Sequence, residues 1–192
     1  GISNNSVNRK LSSVKTYYRF LLLTGKVESN PTLKVQSPKS SKRLPEFVNQ
    51  DSMNLLLVED MFEDDFEGTR DRLILELLYQ TGMRLSELVS LNIADVEPNI
   101  TFFKLTDKRN KQRIIPVTIE LRGIIQTYVN HREEFAKLPK SLLITKKGKR
   151  VYPKLVYNVV NKYLTKISTI NKKSPHVLRQ TFATHMLNNG AD

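Results

Sequence analysis

The chain has 192 residues, with 31 Lys and Arg against 19 Asp and Glu and a formal net charge of +12. It contains no cysteine, which excludes disulfides, thiolate nucleophiles and Cys-ligated zinc and fits a reducing cytoplasm. No apolar run approaches the roughly 18 residues of a membrane span, and neither a signal-peptide pattern nor a glycine-rich phosphate motif is present. The charge points to a polyanion, nucleic acid before an acidic membrane surface, against the plainer reading of a basic protein without a specific partner.

Residues 6–24 have helical spacing, with Val7, Leu11, Val14, Tyr18, Leu21 and Leu22 on one side and Gly25 placed to stop the helix. Pro31, Pro38 and Pro45 then punctuate a Ser/Lys-rich stretch that reads as a linker. Helical patterns follow at 50–62, capped by Asn49 or Asp51, at 70–81, ended by Gly82, and at 85–91. The acidic run EDMFEDDFE (59–67) reads as a solvated loop rather than a metal site. The period changes at ITFFKLT (100–106) and QRIIPVT (112–118), two β-rich runs joined as a hairpin. Helices return at 119–134 and 153–167, with SLLIT (141–145) as a candidate third strand between them. The last helix opens at Ser174-Pro175, a cap and a first-turn proline, and ends at Gly190. The expected fold is mainly α with a small antiparallel β-sheet (α+β).

Local features could carry chemistry. In TGMRLSEL (81–88), Arg84 falls at a helix junction where an anion is favoured, and Glu87 can reach back to it; a surface ion pair of little consequence is the competing reading. Lys104, Lys108, Arg109, Lys111 and Arg113 crowd the hairpin, as a groove-entering ribbon or as an ordinary solvated turn. His176 and Arg179 share one side of the last helix, with Leu178, Phe182 and Met186 as the adjoining apolar stripe. No Asp or Glu lies between 135 and 191, so a partly buried Arg179 calls for a phosphate or for a carboxylate from elsewhere in the fold. His185 points away from that pair and reads as structural or solvated.

In order and spacing, TGMRLSELVSL, a lysine-bearing hairpin and HVLRQTFATHMLNNGAD resemble the catalytic domain of the tyrosine recombinase (phage-integrase-like) family, its bacterial Xer-type members above all. The N-terminal VNRKLSSVKTYYRFLLLTGKVESNPT followed by KRLPEF is similar to the end of that family's helical, SAM-like core-binding domain and its linker. The resemblance implies a core-binding segment at 1–30, a linker at 31–43 carrying Lys42 and Arg43 as DNA contacts, and a DNA breaking-rejoining catalytic domain at 44–192.

It also implies a chemistry. A tyrosine hydroxyl attacks a DNA phosphodiester, leaving a 3′-phosphotyrosyl link and a free 5′-hydroxyl, without ATP, metal or any other cofactor. Arg84 and Arg179 match the arginines that hold the nonbridging oxygens. Lys108 matches the lysine that protonates the leaving oxygen, with Lys111 as the alternative if the register shifts. His176 matches the first family histidine, and Glu87 the carboxylate that orients the catalytic groups. Lys104, Arg109, Lys111 and Arg113 fall to DNA binding. All seven tyrosines precede the His-x-x-Arg helix, so the expectation is a fragment without the nucleophile that binds double-stranded DNA and does not cleave it. The complete protein would act as a tetramer on DNA, the fragment as a monomer, with no membrane involved. A non-catalytic DNA-binding regulator or accessory module is the alternative, and a type IB topoisomerase a further one.

Overall fold

The computed structural model describes residues 1–40, 46–96, 99–106, 112–135 and 140–190. The chain divides into two compact units, Gly1–Leu44 and Pro45–Asp192.

The first unit holds α1 (Asn4–Leu23). The Ser3 hydroxyl caps it by accepting from the Ser6 N–H, and Gly25 turns the chain away with φ of 68°. No residue of α1 is fully buried. Its side chains instead hold the proline-punctuated segment beside it. Asn4 donates to the Lys39 carbonyl, Asn8 to Pro38 and Lys15 to Val35, each at 2.9 Å. These bonds supply partners that an extended stretch cannot find in itself.

The second unit is built around α3 (Phe66–Thr81). Leu73, Ile74, Leu75, Leu77 and Leu78 are all completely buried, and buried Arg70, Asp71 and Glu76 lie on the same helix, so α3 is enclosed nearly all round. Helices α5 (Ile119–Glu133), α6 (Pro153–Ile167) and α7 (Pro175–Asn188) pack on it, as does the short α4 (Leu85–Ser90), while α2 (Gln50–Leu56) leans on α6. Strands β1 (Phe102–Thr106) and β2 (Gln112–Pro116) pair antiparallel, with Phe103 opposite Ile115 and Leu105 opposite Arg113. Phe103, Leu105 and Ile115 are buried, whereas Lys104 and its partner Ile114 face out. The ribbon therefore has one core face and one solvent face. The mainly helical architecture with a small antiparallel sheet agrees with the sequence reading.

The differences have local causes. The helix expected at 50–62 ends at Leu56 and is followed by a 3₁₀ turn at Glu59–Met61. The helix expected from residue 70 begins at Phe66, because Asp65 caps it by accepting from the Gly68 N–H at 2.7 Å. Part of the acidic run is thus a helix start, with Glu67 in its favourable first turn. Polar Arg70 and Asp71 obscured that turn; both are buried and neutralise each other, Arg70 Nη2 lying 2.7 Å from Asp71 Oδ1. Residues 141–145 make isolated bridges, Ser141 to Asn92 and Ile144 to Arg150, instead of a strand. Each end of the segment meets a different neighbour, so no ladder develops.

Candidate active site

The junction between α3 and α4 places the first candidate arginine. Gly82 ends α3 in the left-handed conformation (φ 57°), a conformation for which glycine carries no steric penalty. Met83 is buried beneath the turn, and Arg84 stands at the N-cap of α4 with an extended backbone. The Arg84 side chain is 57% exposed, but its N–H donates to Glu87 Oε2 at 2.6 Å and its Nη1 lies 2.9 Å from Glu87 Oε1. Glu87 is itself only 10% exposed. This is no loose surface pair: a nearly buried carboxylate is bonded to both the backbone and the side chain of one arginine.

A second cation shares that carboxylate. Arg113 Nη2 on β2 lies 2.7 Å from Glu87 Oε2. The sequence assigns Arg113 to DNA binding, and the structure adds a second partner for its side chain. Its place opposite Leu105, on the ribbon face that carries Ile115, brings it to Glu87 of α4. Strand parity was the available signal: Arg113 and Ile115 are two residues apart and so share a face.

Arg179 arrives on α7, whose first turn is set by Ser174 and Pro175. The side chain is half-buried, and its Nη1 donates to the Gly82 carbonyl. Burial lowers the Arg179 pKa from its ordinary value, and the neighbouring charge of Arg84 lowers it further; Glu87 opposes this and Arg113 adds to it. Arg84, Arg113 and Arg179 therefore sit within electrostatic reach around one carboxylate. Such an excess of guanidinium charge favours an anion. Glu87 is the nearest source of negative charge to Arg179, but the hydrogen-bond partner of Arg179 is the Gly82 carbonyl, and the carboxylate is paired with Arg84 and Arg113.

The other candidates are placed as follows. His176 is exposed, one turn before Arg179 on the same helix. Lys104 is exposed on the outer ribbon face and helps line a cavity of about 220 Å³ together with Glu87, Ser90, Asn92 and Asp95. Lys42, Arg43, Lys108, Arg109 and Lys111 lie outside the described residues. His185 is a core histidine, 8% exposed, its Nδ1 2.9 Å from the Tyr79 hydroxyl and its ring edge-on to Phe47. Tyr128 is buried and committed to structure: its hydroxyl accepts from the Ile144 N–H at 3.0 Å, and burial pushes its pKa up to about 12. Among the described residues no group of three or more His, Asp or Glu side chains is arranged to hold a metal ion, and no helix is long and apolar enough to cross a membrane.

Comparison with known proteins gives a consistent picture. The chain is 39% identical to the tyrosine recombinase XerC of Chlorobaculum parvum and 36% identical to that of Staphylococcus epidermidis. In both cases all of this chain is matched, but it spans only 64% of the relative's length. Among solved structures, the XerA recombinase is 26% identical with a TM-score of 0.66, over 99% of this chain and 64% of that one. The XerH site-specific recombinase, bound to its difH substrate in a pre-cleavage complex, shares the fold with a TM-score of 0.78 at 20% identity, over 100% of this chain and 57% of that one. Residues 46–192, which include every residue of the arginine cluster, match the phage integrase family, and the chain is a member of that family of tyrosine recombinases.

Proposed function

We propose that this chain supplies the DNA-binding and phosphate-activating part of a site-specific recombinase. The observation that carries the reading is the convergence of Arg84 and Arg179 on the Gly82–Glu87 junction, where Arg179 reaches the carbonyl of a residue 97 positions earlier in sequence. Their planar forks would take the nonbridging oxygens of a DNA phosphate and stabilise the charge that builds there as a tyrosine hydroxyl attacks. Lys108 is assigned the leaving 5′-oxygen, to which it gives a proton; His176 faces the same phosphate from the first turn of α7. Glu87 holds Arg84 in place. Residues 1–30 act as core-binding segment and 31–43 as linker, with Lys42 and Arg43 beside the DNA backbone and Lys104, Arg109 and Lys111 as further contacts. The complete protein works as a tetramer on DNA.

No tyrosine follows the His-x-x-Arg motif in this chain. We therefore assign these 192 residues DNA binding without strand cleavage, as a monomer. Incubation with a nicked recombination site checks this: the chain should retard the DNA and form no covalent adduct, and an adduct that survives denaturation would refute the assignment. In a complete recombinase carrying this sequence, Arg179→Ala should lower cleavage by at least about a hundredfold while site binding stays within a few fold. Parallel loss of both would favour a plain binding module.

A further inference from the structure

We propose that Arg113 is a positioning residue for Arg84: it neutralises Glu87 and so leaves the Arg84 guanidinium available to an anion. The inference rests on the reading that Arg84 binds a DNA phosphate.

Glu87 is the pivot. Its Oε2 accepts from the Arg84 N–H at 2.6 Å and from Arg113 Nη2 at 2.7 Å, and its Oε1 pairs with Arg84 Nη1 at 2.9 Å. A carboxylate only 10% exposed needs a full countercharge. Were Arg84 its sole cation, the Arg84 head would be held as that countercharge and would meet a phosphate as half of a neutral pair. Two cations on one carboxylate leave an excess of one positive charge, and exposure decides where that excess is presented. The Arg84 side chain is 57% exposed and the Arg113 side chain 40%. Arg113 also approaches from the core-facing side of the ribbon, and its Nε is buried without a hydrogen-bond partner. That is poor geometry for gripping DNA and good geometry for gripping Glu87. The same contact fastens β2 to the start of α4.

A double-mutant cycle on the 192-residue chain separates this role from a direct phosphate contact. Affinity for a fluorescein-labelled duplex is read by anisotropy at low salt, with thermal midpoints as a check on folding. Arg113→Gln should weaken binding about tenfold in the native background and less than about twofold once Glu87→Gln has removed the charge it compensates. Arg113→Lys, which keeps the countercharge, should bind within about twofold of the parent. Equal losses in both backgrounds would mean that Arg113 touches the phosphate itself, and no loss in either would mean that it positions nothing; each overturns the inference while leaving DNA binding intact. If Arg113→Gln alone fails to fold, the Arg113→Lys and Glu87→Gln/Arg113→Gln chains decide, since the inference requires both to bind like their parents. A parent chain that does not bind duplex DNA at all refutes the functional reading, and the inference with it.

Discussion

A methyl group at Gly82 would lie 2.3 Å from a carbon of the Phe182 ring, and the backbone there has φ of 57°. The residue also offers its carbonyl to Arg179 and stands two positions before Arg84. Gly82→Ala should therefore cost about 3 kcal/mol through strain and overpacking together, read as a fall in thermal midpoint, and should weaken DNA binding beyond what the lost stability explains. Glu76 provides a test at a residue outside the Arg84, Arg113 and Arg179 cluster. It is 3% exposed, and burial raises its pKa above the usual carboxylate value, only partly offset by the Gln80 amide 2.8 Å away and the charge of Arg72. A carboxyl whose pKa is raised by folding holds its proton more tightly in the folded state. Its ionisation therefore subtracts stability, fully so above the folded pKa and not at all below the unfolded one. Glu76→Gln should raise the thermal midpoint by a few degrees at neutral pH, and the gain should vanish in melts recorded as pH falls below the ordinary glutamate range.

At the scale of elements, caps decide where helices begin. Asp65 accepts from the Gly68 N–H at the start of α3, and Asp65→Ala should cost about 1 kcal/mol by thermal denaturation. Added magnesium should leave the wild-type midpoint unchanged, since this carboxylate serves a helix end. How much was legible in the sequence follows from the same physics. The amphipathic helices α5 and α6 fall within a residue or so of their expected limits, because one apolar stripe faces α3 and the other side meets solvent. Helix α3 was harder. It is enclosed on nearly every side, so its periodicity is weak, and its first turns bury the Arg70–Asp71 pair. The site divides likewise. Arg84, Glu87 and Arg179 stand out through motif and spacing. The Arg113–Glu87 pair spans 26 residues and two kinds of element, and only strand parity hinted at it.

Across the whole molecule the charge is unevenly spread. Residues 1–44 carry a net charge of +8 and residues 135–192 a net +11, with no Asp or Glu from 135 to 191, whereas residues 45–134 between them carry a net −7. Binding to duplex DNA should be dominated by released counterions, its logarithm falling linearly with log salt by about 0.9 for each phosphate neutralised. The central claim is that Arg84 and Arg179 hold one such phosphate. The direct measurement is the affinity of the 192-residue chain for a labelled duplex across a salt series, compared with Arg84→Ala and Arg179→Ala chains of unchanged fold by circular dichroism. Each variant should bind several-fold more weakly and lose about one unit of slope. Affinity and slope equal to those of the parent, in chains that remain folded, would contradict the account.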